Sequence, residues 1–387
     1  MSPALIATSP TQKSMMMNIA SGHAENSQYH KGVKHLCETG IRNVPLRYIL
    51  PVSERPNQIV QGKLHMNDGN FQLPIIDFSE LYGPKRSQVI SSLSSACENY
   101  GFFQVVNHGI PNEVLNNMMD VAKRFFELPL AEREKYMSAD VSKSVRYGTS
   151  FNELKDSVFC WRDFLKLVCH PPADVLSHWP SSPVDLRELA VTYAKETKFL
   201  FLMIMDAIRE SLGLTTTTKN MTADDQDDDQ ILNELKDGNQ LMILNFYPPC
   251  PEPDLTFGIR SHSDYGFFTL LLQDDVPGLQ IKHQGKWLTV EPIPGAFVVN
   301  VGDQLEIFSN GRYKSVLHRA LVNSYKSRIS VVSLHSLPSQ YAVRPAKMLI
   351  NETNPRRYKD TDFATFLDHL KSCDYEEKGF LESRKLT

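Results

Sequence analysis

The chain has 387 residues, 41% hydrophobic and 22% charged, and its 41 basic and 45 acidic side chains leave a formal charge of −4. This composition excludes wholesale disorder, and the absence of any Lys/Arg block excludes the electrostatic footprint of a nucleic-acid binder. No run nears the ~18 consecutive apolar residues of a membrane-spanning helix, and six cysteines without a CxxC pair suit a reducing compartment, so the expectation is a soluble cytoplasmic monomer.

Residues 1–40 lack periodicity, an apolar h-region and an Arg-rich amphipathic pattern, and read as a flexible tail that includes Met15, Met16 and Met17. An extended arm follows at 41–72, marked by Val44-Pro45 and Arg55-Pro56. Residues 73–237 alternate strand and helix. Leu73 to Phe78 is a short buried strand, and Val89, Ile90, Leu93 and Cys97 recur at helical spacing until Gly101. Phe102 to Val106 is β-rich, Asn107-His108-Gly109 turns the chain, and a helix runs through Val114, Met118, Ala122 and Phe126. A long backing helix spans about Asp185 to Ser211. The acidic run from Asp224 to Asp229 lacks the Gly and distal Glu of a Ca²⁺ loop and reads as solvated.

From 238 to 340 the texture changes to short β segments: Leu241–Tyr247, Thr269–Leu272, Leu279–Ile281, Trp287–Val290, Phe297–Asn300, Ser315–Arg319 and Ile329–Leu334. The dipeptides Gln284-Gly285, Pro294-Gly295, Gly302-Asp303 and Asn310-Gly311 suit tight hairpins, the last as a type I′ pair. Such spacing predicts an antiparallel sandwich or jelly roll. Residues 341–387 form a polar, helical C-terminal tail.

In an extended segment, residues i and i+2 share a face, so His262 and Asp264 can both reach one ion while Ser263 turns away. His318, 56 residues on, completes two imidazoles and a carboxylate, the facial set of non-haem Fe(II). Among twelve histidines an HxD pair alone is weak evidence. Arg328 and Ser330 strengthen it: a guanidinium fork backed by a hydroxyl on the same strand face suits the distal carboxylate of a 2-oxo diacid. Asn245 and Tyr247 share one face of the opening strand and can complete that site. His108, His170 and His283 read as turn, loop and hairpin-tip residues, and counting by two from Arg328 puts His335 on the outer face.

Asn-x-Tyr-Pro-x-Cys at 245–250, His-x-Asp at 262–264, Gly-Leu-Gln-Ile at 278–281, Asn-x-Gly-Asp at 300–303, Ser-Asn-Gly-x-Tyr-Lys-Ser-x-x-His-Arg at 309–319 and Arg-x-Ser at 328–330 resemble the plant Fe(II)- and 2-oxoglutarate-dependent dioxygenases. Leu-Pro-Ile-Ile-Asp at 73–77 and the segment 101–110 resemble their N-terminal region. Tyr147 to Asn152 with Trp161-Arg162-Asp163 is most similar to flavanone 3-hydroxylase-like and downy-mildew-resistance-type members. The resemblance implies a double-stranded β-helix core flanked by helices, with an N-terminal α/β domain. It implies Fe(II) on His262, Asp264 and His318, 2-oxoglutarate on Asn245, Tyr247, Arg328 and Ser330, O₂ as co-substrate and ascorbate as reductant.

The expected reaction is hydroxylation or desaturation of a small aromatic or polycyclic plant metabolite, flavonoid or phenolic in type, releasing succinate and CO₂. A non-catalytic receptor or scaffold is the alternative, and a metal enzyme without an oxo-acid leaves Arg328 and Ser330 unexplained. Ile243 and Ser336 stand where flavonol synthase-like and anthocyanidin synthase-like relatives commonly carry Lys and Glu. With Tyr147, Phe151 and Leu334 they are expected to line a less charged pocket suited to a flavanone, a simple phenolic acid or another largely apolar scaffold.

Overall fold

A computed structural model describes residues 31–56, 72–150, 155–214, 231–372 and 379–386. Phe151, the acidic run at 224–229 and Met15 to Met17 lie outside the described residues. The double-stranded β-helix consists of two facing sheets. Strands β1 (Ile75–Asp77), β2 (Phe102–Val106), β3 (Val145–Gly148), β4 (Asp163–Val168), β5 (Asn239–Tyr247), β7 (Phe268–Gln273), β10 (Phe297–Val301) and β12 (Arg328–Ser336) form an eight-stranded sheet in the order β1-β2-β10-β7-β12-β5-β4-β3. The smaller sheet, β6-β11-β8-β9, comprises β6 (Ile259–His262), β8 (Leu279–His283), β9 (Lys286–Thr289) and β11 (His318–Ala320). β12, the last strand in sequence, lies inside the large sheet between β7 and β5.

Strand parity divides the large sheet into two environments. On β5 and β12, Met242, Leu244, Ile329 and Val331 point to the helices, while Asn245, Tyr247, Arg328 and Ser330 point between the sheets. Helices α2 (Arg86–Asn99), α3 (Asn112–Glu127) and α4 (Leu186–Ser211) cover the first face, following α1 (Val33–Glu38) in the chain. The periodic apolar residues of α3 and α4, among them Met118, Phe125, Ile204 and Ile208, are fully buried there. Burial of each such side chain contributes about 1.5–3 kcal/mol. Between the sheets, Phe102, Leu271, Ile281 and Val298 belong to a smaller, separate apolar cluster.

Three features differ from the sequence-based expectations. Helix α1 occupies the end of the expected flexible tail; the Asp163 carboxylate accepts from the Val33 and Lys34 amides at 2.7 and 3.0 Å and so satisfies donors that a helix start leaves open. β3 and β4 extend the same sheet that β5 begins, so strands from both halves of the chain share one ladder. Of the four turn dipeptides only Gln284-Gly285 closes a hairpin, between β8 and β9; Pro294-Gly295 links strands of different sheets, and Gly302-Asp303 and Asn310-Gly311 open and end α5 (Asp303–Phe308), where Asn310 and Gly311 have positive φ and the Gly311 amide bonds the Glu306 carbonyl at 2.8 Å. Near the C-terminus, α6 (Phe363–Ser372) and α7 (Gly379–Arg384) pack aromatic rings on Tyr265, with Phe366 stacked 4.1 Å away. Among the described residues no helix is long and apolar enough to cross a membrane.

Candidate active site

His262 ends β6 and His318 begins β11, and the ladder sets the two residues directly opposite one another. Two residues beyond His262, Asp264 reaches the same point, so donor atoms of the three side chains lie within 4.8 Å of one another. Nε2 of His262 is 3.6 Å from one Asp264 oxygen, and Nε2 of His318 is 3.8 Å from the other. The Nδ1 atoms of His262 and His318 face the Arg260 and Val316 carbonyls at 2.9 and 3.3 Å. A carbonyl only accepts, so each Nδ1 carries the proton and each Nε2 presents a lone pair to the shared point.

Asp264 is fixed by its neighbours. One oxygen accepts from Thr269 Oγ1 at 2.6 Å and Asn300 Nδ2 at 2.8 Å. Burial opposes its ionisation, but His318, His262 and those two hydrogen bonds outweigh burial and hold the carboxyl below its ordinary range. Burial, reinforced by His318, pushes His262 toward the neutral form that a ligand requires. The chain beyond Asp264 is pinned by the Asp303 amide, 2.7 Å from the Asp264 carbonyl. This crossing demands glycine at 302, where a Cβ would stand 2.1 Å from the Gly266 carbonyl oxygen.

Arg328 and Ser330 open β12 opposite Tyr247 and Asn245 of β5, so all four side chains project into the same part of the interior. The Arg328 guanidinium lies over the Tyr247 ring at 5.1 Å and donates from Nη2 to Gln273 Oε1 at 2.7 Å and from Nε to the Val276 carbonyl at 3.2 Å. A Cβ at Gly278 would stand 2.9 Å from the Arg328 Cδ, so glycine there gives the side chain its path. Among the described residues no carboxylate lies within 4.0 Å of this guanidinium, although Arg328 is only 3% exposed. Asn245 Nδ2 donates to Ser330 Oγ at 3.4 Å, and the Gln273 Nε2 is buried without a partner. The donor set thus fits a divalent iron at His262, Asp264 and His318, and an anionic co-substrate that ends on Arg328 and Ser330.

The expected pocket residues divide. Ile243, Leu334 and Ser336 share the inner face with Asn245 and Ser330 and are half-buried. Tyr147 faces the other way: it pairs with Leu165 on the helix side, packs on Phe125 and Phe126, donates to Asp163 at 2.6 Å and accepts from Arg133 at 2.9 Å. Its neighbour Arg146 takes the inner position, because β3 alternates like any strand.

Sequence reasoning missed a second group on that face. Phe164 pairs with Asn245, and Lys166 pairs with both Ile243 and Arg146. The guanidinium groups of Arg162 and Arg146 both lie over the Phe164 ring, 5.0 and 5.1 Å from its centre. Arg162 Nη1 donates to Asn245 Oδ1 at 2.8 Å. Lys166 Nζ donates to the Val141 carbonyl at 2.7 Å, and burial together with the adjacent Arg146 charge pulls its amine down to about 8. The pocket is therefore not short of charge: the cation absent at 243 is replaced by one across the ladder. Parity counted back from Trp161-Arg162-Asp163 could have found it once that segment was read as a strand.

Comparisons with known proteins agree with this arrangement. The family model described as the 2OG-Fe(II) oxygenase superfamily matches residues 238–336, and the model described as the non-haem dioxygenase in morphine synthesis N-terminal domain matches 73–182. The chain is similar to Protein DMR6-LIKE OXYGENASE 2 of Arabidopsis thaliana, 39% identical over 89% of this chain and 95% of that protein. It is also similar to Flavanone 3-dioxygenase 2 of Oryza sativa subsp. japonica, 38% identical over 93% and 98%. Among solved structures, the crystal structure of JOX2 in complex with 2OG, Fe and JA superposes with a TM-score of 0.79 at 32% identity, over 92% of this chain and 98% of that one.

Proposed function

The chain belongs to the 2OG-Fe(II) oxygenase superfamily, and from that premise we propose that His262, Asp264 and His318 hold the iron while Arg328 and Ser330, with Asn245 and Tyr247, hold 2-oxoglutarate. The enzyme is a 2-oxoglutarate-dependent dioxygenase, an oxidoreductase that uses Fe(II), 2-oxoglutarate and O₂, and hydroxylation of plant metabolites is the family's work. Fe(II), when bound, couples the splitting of 2-oxoglutarate to succinate and CO₂ with oxidation of the organic substrate by O₂.

The observation that carries the assignment is the convergence of the His262, Asp264 and His318 donor atoms within 4.8 Å. Two neutral imidazoles and one carboxylate leave half an octahedron open. Arg328 contributes a planar fork for the distal carboxylate, and its stacking on Tyr247 fixes the direction of that fork before any ligand arrives. Thr269 and Asn300 hold the Asp264 carboxylate in one orientation. The Phe102 ring packs edge-on against His318, 5.3 Å between ring centres, and gives the site an apolar neighbour.

The organic substrate in this reading is a small aromatic or polycyclic metabolite, flavonoid or phenolic in type, and ascorbate serves as reductant. A cytosolic monomer completes it, consistent with the five free cysteines among the described residues. The test is formation of succinate from 2-oxoglutarate by the purified chain with Fe(II). Stoichiometric loss of that product in Asp264→Ala supports the assignment; unimpaired succinate formation without His262, Asp264 and His318 overturns it.

A further inference from the structure

We propose that Arg162 is a positioning residue for the co-substrate: acting through Asn245, it fixes the direction of the Ser330 hydroxyl and so makes that hydroxyl a donor to the distal carboxylate of 2-oxoglutarate. The proposal rests on the oxygenase reading of the site, which puts that carboxylate on Arg328 and Ser330, and adds a residue from outside the two strands that hold it.

The hydrogen-bond chain runs in one direction only. Arg162 Nη1 lies 2.8 Å from the end of the Asn245 side chain, and because a guanidinium can only donate, the atom it meets is the amide oxygen. The amide nitrogen is thereby turned to Ser330 Oγ, 3.4 Å away. An NH₂ group also only donates, so the serine oxygen accepts and keeps its single proton for a further acceptor. Without the arginine the amide is free to turn over. Ser330 would then donate to the Asn245 oxygen and present lone pairs, not a proton, to an incoming carboxylate.

The chain on either side of Arg162 is held, which gives the side chain a fixed origin. Trp161 is fully buried in one cluster with Val33 and Leu36 of α1, edge-on to Tyr48 at 5.4 Å, and its amide donates to the Phe257 carbonyl at 2.8 Å. Asp163 takes the Val33 and Lys34 amides and the Tyr147 and Thr149 hydroxyls. Alternation turns Arg162 away from α1 and onto the ring of Phe164, the residue that pairs with Asn245. A charged donor so placed also polarises the amide and strengthens the N–H at its other end. The same polarity recurs across Ser330 on β7: Gln273 Oε1 accepts from Arg328, which leaves Nε2, buried without a partner, as a donor. The Ser330 hydroxyl, Gln273 Nε2 and the Arg328 guanidinium then offer protons to one acceptor, and a carboxylate only accepts.

The experiment measures equilibrium binding by calorimetry to the full chain holding Fe(II) under anaerobic conditions. The probes are 2-oxoglutarate and 2-oxopentanoate, which has the same chain length but ends in a methyl group. Wild type should prefer 2-oxoglutarate by about 10-fold or more, since only the diacid reaches Arg328 and Ser330 with a second carboxylate. Arg162→Met should weaken 2-oxoglutarate by about 10-fold while the affinities for 2-oxopentanoate and for Fe(II) stay within about 3-fold. Arg162→Gln, which keeps a polar end but can accept as well as donate, should show the same selective loss at about 3-fold or more. In an Asn245→Ala background, Arg162→Met should change 2-oxoglutarate affinity by less than about 2-fold, because the chain is already cut.

Unchanged 2-oxoglutarate affinity in the Arg162 variants, an equal loss for both oxo-acids, or a loss that persists undiminished in the Asn245→Ala background overturns the proposal. The wild-type ratio reports on the reading beneath by itself: no preference for 2-oxoglutarate over 2-oxopentanoate sinks the placement of its distal carboxylate on Arg328 and Ser330. A clear preference that ignores Arg162 sinks only the positioning role. Arg162→Gln preserves most of the bulk over Phe164, so it carries the comparison if circular dichroism shows the Met variant to be unfolded.

Discussion

The two faces of the sheet at β4, β5 and β12 carry polar groups in comparable number but treat them differently. On the helix side, Gln240 donates to the Ala194 carbonyl, Thr197 and Ser333, and Ser333 meets His335, whose ring stacks 4.3 Å from Phe201. Asp163 on that side collects two backbone amides and two hydroxyls. The protein answers these groups itself, apart from the His335 Nδ1, which is buried without a hydrogen-bond partner. On the inner side, Arg328 and Arg162 are buried without a carboxylate within 4.0 Å among the described residues, and three ligand atoms lie within 4.8 Å of one another. A closed polar network holds the fold together; an open one awaits ligands.

The strongest way to break this comparison is to remove an inner-face ligand. His262→Ala, Asp264→Ala or His318→Ala should each abolish turnover, by about 10³-fold or more, while circular dichroism remains that of the wild type. Loss of folded signal in all three would show that the inner face is structural after all. Next in size is the anion fork: Arg328→Lys keeps the charge but not the planar pair of donors, and the KM for 2-oxoglutarate should rise about 10-fold or more with little change in the KM for the organic substrate. An unmoved 2-oxoglutarate KM would place the anchor elsewhere.

A smaller effect belongs to the residues that orient the carboxylate. Thr269→Val or Asn300→Ala should weaken iron binding by about 10-fold, read by titrating metal into the chain and following quenching of tryptophan fluorescence, with the melting temperature of the metal-free protein little altered. The smallest change sharpens the comparison from the helix side. Burial, with the nearby Lys198 charge, holds His335 well below its ordinary value of 6.5. The unfolded chain therefore takes up this proton before the folded one does, and stability falls as pH drops below about 6.5. His335→Leu should flatten that acid limb in denaturant titrations and leave activity at neutral pH unchanged; an unchanged slope would mean that other groups set the acid sensitivity.

Much of this was legible in the sequence because it depends on period-two parity. Arg328 and Ser330, and Asn245 and Tyr247, each sit two apart on one strand, His262 and Asp264 sit two apart across the end of β6, and counting along β12 puts His335 on its observed side. Parity works only where the strand is recognised. β3 has only four residues and is separated from the six-residue β4 by the stretch 149–162, so neither stands out as a strand in the sequence, and Tyr147 takes there the inner face that belongs to Arg146. The cations on Phe164 were missed for the same reason: their common face is created by pairing with β5, a contact between residues some eighty apart in the chain. Long-range pairing also explains α1, whose capping acid, Asp163, lies 130 positions away.

The place of β12 in the large sheet has a consequence for the order in which the protein can assemble on the ribosome. Its two neighbours, β5 and β7, are complete by residue 273, yet β12 begins at Arg328. Until it emerges, the nascent chain holds two unjoined half-sheets, β1-β2-β10-β7 and β5-β4-β3, each presenting a bare edge to any other extended segment. At ~5–20 residues per second, synthesis of the stretch between 273 and 336 lasts roughly 3 to 13 s. Any chain that ends before Arg328 remains in that state. The strand that carries Arg328 and Ser330 is thus also the one that joins the halves, and the anion fork cannot exist before the sheet is whole.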